Sequence, residues 1–243
     1  MNIRLALSRL ASMILCLSFG MLLFQGIAAL DMDNRVTGAA AHYLSNAPAE
    51  TGANNIVSAI LFDYRAFDTL GESTVIFTAV CGIAMLFPRK QILHSARGLS
   101  FITRRGIGFV APFILMYAAA IILTGHLSPG GGFQGGTVLA TFTVLMCVVY
   151  GSGFESTHLP PWKKDLLESA GALLFAGVGL FGLIVGTGFL SNLSAGFPSG
   201  APGTLFSAGS IPFLNIAVAL KVGAGLSTIF YCMINIVEDR RGS

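Results

Sequence analysis

Charge is scarce in this sequence. Asp, Glu, Lys and Arg make up 10% of its 243 residues, against the quarter or so of a typical soluble domain. Too few charged side chains are present to cover a water-soluble globule of this size, which excludes that class. The four cysteines, Cys16, Cys81, Cys147 and Cys232, stand far apart inside apolar segments with neither C-x-x-C spacing nor a histidine cluster beside them. They read as packing residues, not as a disulfide framework or a structural metal site. Also missing are the G-x-x-x-x-G-K-[ST] loop, the H-E-x-x-H pair, the nucleophile elbow and any heme motif. Cofactor chemistry therefore finds no support in this chain, and any redox step is expected in a partner. The formal charge of +3 is small, and its basic residues lie in the connections between apolar runs. Membrane topology accounts for them without a nucleic-acid partner.

What is present is hydrophobic residue, 54% of the chain, with a mean hydropathy of +0.77. The pattern predicts an all-α, polytopic membrane protein with about six spans, each long enough at 1.5 Å per residue to cross a hydrocarbon core of about 30 Å. The expected spans are residues 5–30, 69–87, 107–124, 135–150, 166–190 and 211–237. The first reads as a retained anchor, although Gly26-Ile27-Ala28 would also serve as the cleavage site of a secretory signal peptide. Between the first two spans the chain is polar over 31–55 and then alternates over 56–67 in a way that suits a short interfacial helix. Pro88 stops the second span. Residues 191–210 carry no charge and read as an extended or re-entrant loop. Pro160-Pro161-Trp162-Lys163-Lys164 reads as a loop ending in an interfacial anchor. Arg4, Arg9, Arg89, Lys90, Arg97, Arg104, Arg105, Lys163, Lys164, Arg240 and Arg241 all fall on one side, against Arg35 and Arg65 on the other. The positive-inside rule then places both termini in the cytoplasm.

Between the third and fourth spans stands GHLSPGGGFQGG, residues 125–136. Such backbone lies at membrane depth only where protein or cavity water satisfies it, so a broken helix or tight turn at a functional seam is expected. Pro129 followed by Gly130, Gly131 and Gly132 argues for a turn. Gly135 and Gly136 allow close backbone approach, either to another helix or to an ion. His126 is the histidine of this segment; an imidazole titrates near neutrality, which suits a proton shuttle as well as an ordinary interfacial hydrogen bond.

Two further constellations carry candidate chemistry. Lys221 sits ten positions into the sixth span, roughly 15 Å along its axis. An ammonium at that depth costs at least a few kcal/mol unless it pairs, meets water or loses its proton, which leaves an ion relay and a structural ion pair as the two readings. Asp68 and Glu72, four apart, share one helix face and together could hold a proton or a cation. Thr69 to Glu72 also fits a capping box, with Thr69 as N-cap. Asp63 and Arg65 beside them are expected to form a local surface salt bridge.

The residues GHLSPGGGFQGG and, at 214–226, LNIAVALKVGAGL resemble the B subunit of the multi-subunit Mrp-type cation/proton antiporters, also called Mnh. The likeness runs from about Arg104 to the C-terminus. NNIVSAILFDYRAFDTLGESTVIFTA, at 54–79, resembles the C-terminal end of the large A subunit of those antiporters and the small equivalent subunit of membrane-bound hydrogenases. Both pieces in one polypeptide imply a fusion of neighbouring subunits, with a first part over 1–100 and, over 101–243, a four-helix part like the B subunit. The resemblance implies a bacterial or archaeal cell membrane, other subunits of an antiporter or respiratory-type complex as partners, and protons and sodium as the ions. It implies a role in exchange for Asp68 and Glu72, which match the family's DTLGE element, and for Lys221 in its ALKVG element. It implies no catalysis by this chain and leaves three readings open: a stand-alone antiporter, a redox-driven complex, and a bridging subunit without its own ion path.

Overall fold

The computed structural model describes residues 3–28, 38–87 and 98–242. Among them are six helices long and apolar enough to cross a membrane, and the chain is an all-α multi-pass membrane protein. The expected cluster of Arg89, Lys90 and Arg97, the stop at Pro88, and Arg35 lie outside the described residues.

The first unit of the chain contains α1 (Ile3–Ala28), an uninterrupted helix. Its side chains from Arg9 onward are exposed along their whole run. Leu, Ile, Met and Phe on every side suit a helix surrounded by lipid. Within the polar stretch, α2 (Ala39–Thr51) is helical. Thr51 ends it, with its hydroxyl donating to the Ala47 carbonyl at 2.8 Å.

In the second unit, α9 (Ile211–Gly242) is the axis. It packs against α6 (Gly132–Tyr150), α8 (Pro161–Val185), α4 (Ala66–Leu86) and α5 (Phe101–Leu123). Two-thirds of its span is buried, far more than any other. Lipid is as apolar as leucine, so what holds these helices together is close packing of small residues and the few polar contacts between them. A Cβ on Gly136 would stand 2.9 Å from the Ala219 carbonyl of α9, and one on Gly171 of α8 would stand 2.5 Å from the Ala217 carbonyl. On its other side α9 presents Gly225 to Ile76 and Val80 of α4. Small residues thus mark each of these approaches to the axis helix.

The spans begin earlier than the hydropathy predicts, at Ala66, Phe101, Gly132 and Pro161. In each case polar or small residues enter the first turns, and local hydrogen bonding outweighs hydropathy there. Between Gly151 and Pro160 an additional short helix, α7 (Ser152–His158), replaces the expected loop. The alternating segment is α3 (Ile56–Ala59) running into a π-helical turn, Ile60–Tyr64. It packs into the protein, with Ala59 and Phe62 buried in the core. Residues 191–210 form the expected irregular loop, with one 3-10 turn at Leu193–Ala195. That loop, residues 124–131 and the start of α4 share one end of the bundle, called here the loop end.

Candidate functional site

The loop end is organised around the break between α5 and α6. Thr124 ends α5, and the chain turns back through tightly bonded residues before Gly132 starts α6. Gly131 has φ 138° and ψ −172°, a conformation only glycine adopts easily. The break is held from both neighbours. Asn55 donates through Nδ2 to the carbonyls of Gly125 at 2.7 Å and Ser128 at 2.9 Å, while its Oδ1 caps α3 by accepting from Val57 N at 3.1 Å. Ser58 Oγ adds a donor to the Gly125 carbonyl at 2.6 Å. From α9, Asn215 Oδ1 accepts from the Gly132 amide at 2.9 Å and so caps α6 from another helix. Side chains from both neighbours thus satisfy the Gly125 and Ser128 carbonyls and the Gly132 amide that the break frees.

His126 lies within this end of the bundle, fully buried. Its Nε2 donates to the Thr204 carbonyl at 3.3 Å, and its Nδ1 meets no hydrogen-bond partner among the described residues. Burial pushes its pKa below the ordinary histidine value, partly offset by the Thr204 carbonyl. Gly132, Gly135 and Gly136 face helices: Gly132 and Gly136 face α9, and Gly135 faces Ile122 of α5.

Asp63 and Arg65 do not pair. Asp63 turns inward and accepts from Asn192 Nδ2 at 2.9 Å, whereas Arg65 Nε pairs with Asp68 Oδ2 at 2.6 Å. The π-helical turn separates the two side chains, because Arg65 ends it outside the regular helical conformation. Asn192 also holds the long loop: its Oδ1 accepts from Ser210 N at 2.7 Å and Ser210 Oγ at 3.0 Å, and its Nδ2 reaches the Thr51 carbonyl at 3.3 Å. Burial raises the Asp63 pKa above the ordinary carboxylate value, with the Asn192 hydrogen bond opposing and the Glu50 charge adding to it.

The capping box is absent. The helix begins at Ala66, and Thr69 lies inside its first turns with its hydroxyl donating to the Leu61 carbonyl. Glu72 is thus free of a capping role. Asp68 and Glu72 do share a face, and with Phe67, Gly71, Val75, Ile76 and Phe133 they line an open groove of about 710 Å³. Both side chains are exposed.

Lys221 is buried at 7% exposure, its Nζ 4.7 Å from the centre of the Phe77 ring. Glu72 and Phe77 are five residues apart, which puts roughly 140° between them around α4. The acidic pair and the lysine therefore face different sides of that helix. The Lys221 ammonium lies against Phe77 of α4, and Glu168 of α8 acts on it electrostatically.

Sequence reasoning missed Glu168, and it placed Lys164 at the membrane surface. Both are buried on the α9-facing stripe of α8, and the Lys164 ammonium lies 4.5 Å from the centre of the Tyr231 ring. The Lys163 ammonium lies 5.7 Å from the centre of the exposed Trp162 ring. The available signal was the four-residue spacing of Lys164 and Glu168, the same spacing that drew attention to Asp68 and Glu72. Asn215, four residues into its span, was legible in the same way as a polar residue in an apolar run.

Comparison with known proteins matches residues 102–228 to a domain related to the MnhB subunit of Na+/H+ antiporter, and residues 7–93 to MbhE, the E subunit of MBH. An uncharacterized protein of Methanocaldococcus jannaschii is 38% identical over 207 residues, 74% of this chain and 76% of that protein. The probable K+/H+ antiporter A/B subunit of Rhizobium meliloti is 27% identical over 79% of this chain, which spans 22% of that protein. A chain of the membrane-bound sulfane sulfur reductase, an archaeal respiratory membrane complex, superimposes with a TM-score of 0.76 at 31% identity, covering 93% of this chain and 98% of that one. A chain of the Mrp complex from Dietzia shares the fold with a TM-score of 0.73 at 20% identity, over 93% of this chain and 26% of that one.

Proposed function

This chain belongs to the family of domains related to the MnhB subunit of Na+/H+ antiporters, and from that premise we propose that it is a non-catalytic membrane subunit of a multi-subunit cation/proton-translocating assembly. Protons and sodium are its ions, and other membrane subunits are its partners. The observation that carries the reading is the pair of exposed carboxylates, Asp68 and Glu72, on one face of a membrane-spanning helix beside an open groove. Charge in a span is costly unless water, a cation or a partner meets it. Asp68 and Glu72 load protons or cations at the loop end, His126 lies beside the helix break there, and Lys221 shifts a proton near midplane. With the loop end outside, both termini are cytoplasmic in a bacterial or archaeal cell membrane.

The test is exchange by the assembled complex in proteoliposomes. Glu72→Gln and Lys221→Ala, each with assembly confirmed, should abolish cation-dependent proton movement. Full activity in both sinks the reading.

The division at residue 100 is supported by the two family matches falling on either side of it. A second reading has its own support: the nearly end-to-end match to a chain of a sulfur-reducing respiratory complex favours a redox-driven assembly. Affinity purification in mild detergent separates the two. Stoichiometric iron-sulfur subunits would indicate the redox-driven complex, and antiporter-like subunits alone would indicate the secondary antiporter.

A further inference from the structure

The seam between α8 and α9 buries three ionisable side chains: Lys164 at 3% exposure, Glu168 at 6% and Lys221 at 7%. Lys164 and Glu168 stand one turn apart on α8, about 6 Å along its axis. The next residue of that stripe, Gly171, would place a Cβ 3.0 Å from the Lys221 amide. The turn of α8 just past Glu168 therefore rests on the turn of α9 that carries Lys221, and Glu168 acts electrostatically on it. At the other end the Lys164 ammonium covers the Tyr231 ring. Lys221 and Tyr231 are ten residues apart, about 15 Å, or half of a hydrocarbon core. Read along the seam, the order is base, acid, base.

A second observation belongs to the same face. Thr228 lies seven residues beyond Lys221, two turns along α9. It is 3% exposed, and its hydroxyl meets no hydrogen-bond partner among the described residues. That hydroxyl adds an unpartnered polar group to the same stretch as the three charges.

We propose that Lys221, Glu168 and Lys164 form a proton relay from the middle of the bilayer to the end of the bundle opposite the loops, with Glu168 carrying the proton between the two amines. An N–H bond of the Lys221 ammonium breaks as an O–H bond forms on Glu168. That O–H bond breaks in turn as an N–H bond forms on the Lys164 amine, and the carboxylate is restored. No electron moves and no co-reactant is consumed. A pair that only fixes helix register needs one cation and one anion; an acid set between two bases gives a proton two places to rest. The inference rests on the reading of this chain as part of a proton-translocating assembly and extends it, since Asp68, Glu72 and His126 all belong to the loop half.

The test uses the assembled complex in liposomes loaded with a pH-sensitive dye. Proton flux is read in two modes: under a sodium gradient, and under a valinomycin potassium potential without sodium. Lys164→Arg is the central variant, because guanidinium keeps the charge and the contact with Tyr231 but does not release its proton. It should assemble normally and lose roughly 100-fold in flux, as should Glu168→Gln. Glu168→Asp should retain a measurable part, and wild-type flux should slow in D2O. Unchanged flux in Lys164→Arg overturns the relay, whatever Glu168→Gln does to assembly. So does a wild-type complex that passes protons in neither mode. Wild-type flux under the imposed potential with none coupled to sodium or potassium overturns the exchange reading instead, and Lys164→Arg then decides the relay alone.

Discussion

The two sets of ionisable groups inside the spans occupy opposite surroundings. Asp68 and Glu72 stand on an open face of α4, while Lys164, Glu168 and Lys221 are closed between helices of the same chain. The difference shows what each set requires. A closed set has its solvation built by the fold, from a facing carboxylate and from the Phe77 and Tyr231 rings. In the open set the fold supplies only the exposed pair of Arg65 with Asp68, and the face is otherwise uncovered. Changes to the closed set should therefore register in the chain alone, and changes to the open set only in the assembled complex.

The largest effect should come from prying the closed region apart. Gly136→Leu places a branched side chain where even a Cβ would lie 2.9 Å from backbone and from Val222. The α6 to α9 contact cannot form with that residue, and the variant should not accumulate as a folded chain in membranes. Gly71→Leu on the open face meets nothing within 4 Å and should accumulate normally. Comparing the yields of the two variants by size-exclusion chromatography in mild detergent checks the pair.

Much of this was legible in the sequence because hydropathy and glycine spacing are local signals. The six spans and the glycine-rich break between the third and fourth follow from them directly. The choice of partner was not legible. Asp63 lies two residues from Arg65, yet it bonds to Asn192, 129 residues away, because a π-helical turn redirects the chain between them. Glu168 was not singled out from the sequence, and only the inward stripe of α8 reveals its burial. Thr69 had the sequence of a cap, but packing starts the helix one turn earlier. That the acidic pair and Lys221 face different sides of α4 was likewise not legible, because it depends on how α9 packs against α4.

A second, smaller effect lies in the polar clamp at the loop end. Asn192 makes four hydrogen bonds there, and Asn192→Ala strands the buried Ser210 amide and hydroxyl. The expected loss is about 3 kcal/mol, measured by unfolding the purified chain in mixed micelles. Equal stability of variant and wild type would show that the clamp does not hold the loop.

The loop end should give stability two opposing dependences on pH. Asp63 has its pKa raised by burial, so the folded state favours the protonated form. Its contribution is present below the unfolded value of about 3.9 and fades as pH rises through the higher folded value. His126 has its pKa lowered by burial, so the folded state favours the neutral ring. Its contribution is present above the unfolded value of about 6.5 and is lost as pH falls through the lower folded value. Asp63→Asn should therefore flatten the acid end of a plot of melting temperature against pH, and His126→Gln should remove the fall below about 6.5. An unaltered profile in either variant removes that group from the account.

The smallest effect should come from the open face, and it sharpens the contrast. Arg65 and Asp68 form a close ion pair at 2.6 Å, but their side chains are 62% and 46% exposed. Exposed pairs contribute about 0 to 1 kcal/mol, so Arg65→Ala should leave the melting temperature of the isolated chain almost unchanged. In the assembled complex a partner helix over the groove would remove the pair from solvent, and breaking it would then leave Asp68 as an uncompensated buried charge. Arg65→Ala should accordingly weaken retention of this chain in the complex during detergent purification while sparing the chain itself. A loss of stability in the isolated chain as large as that of Asn192→Ala would contradict the division between open and closed sets.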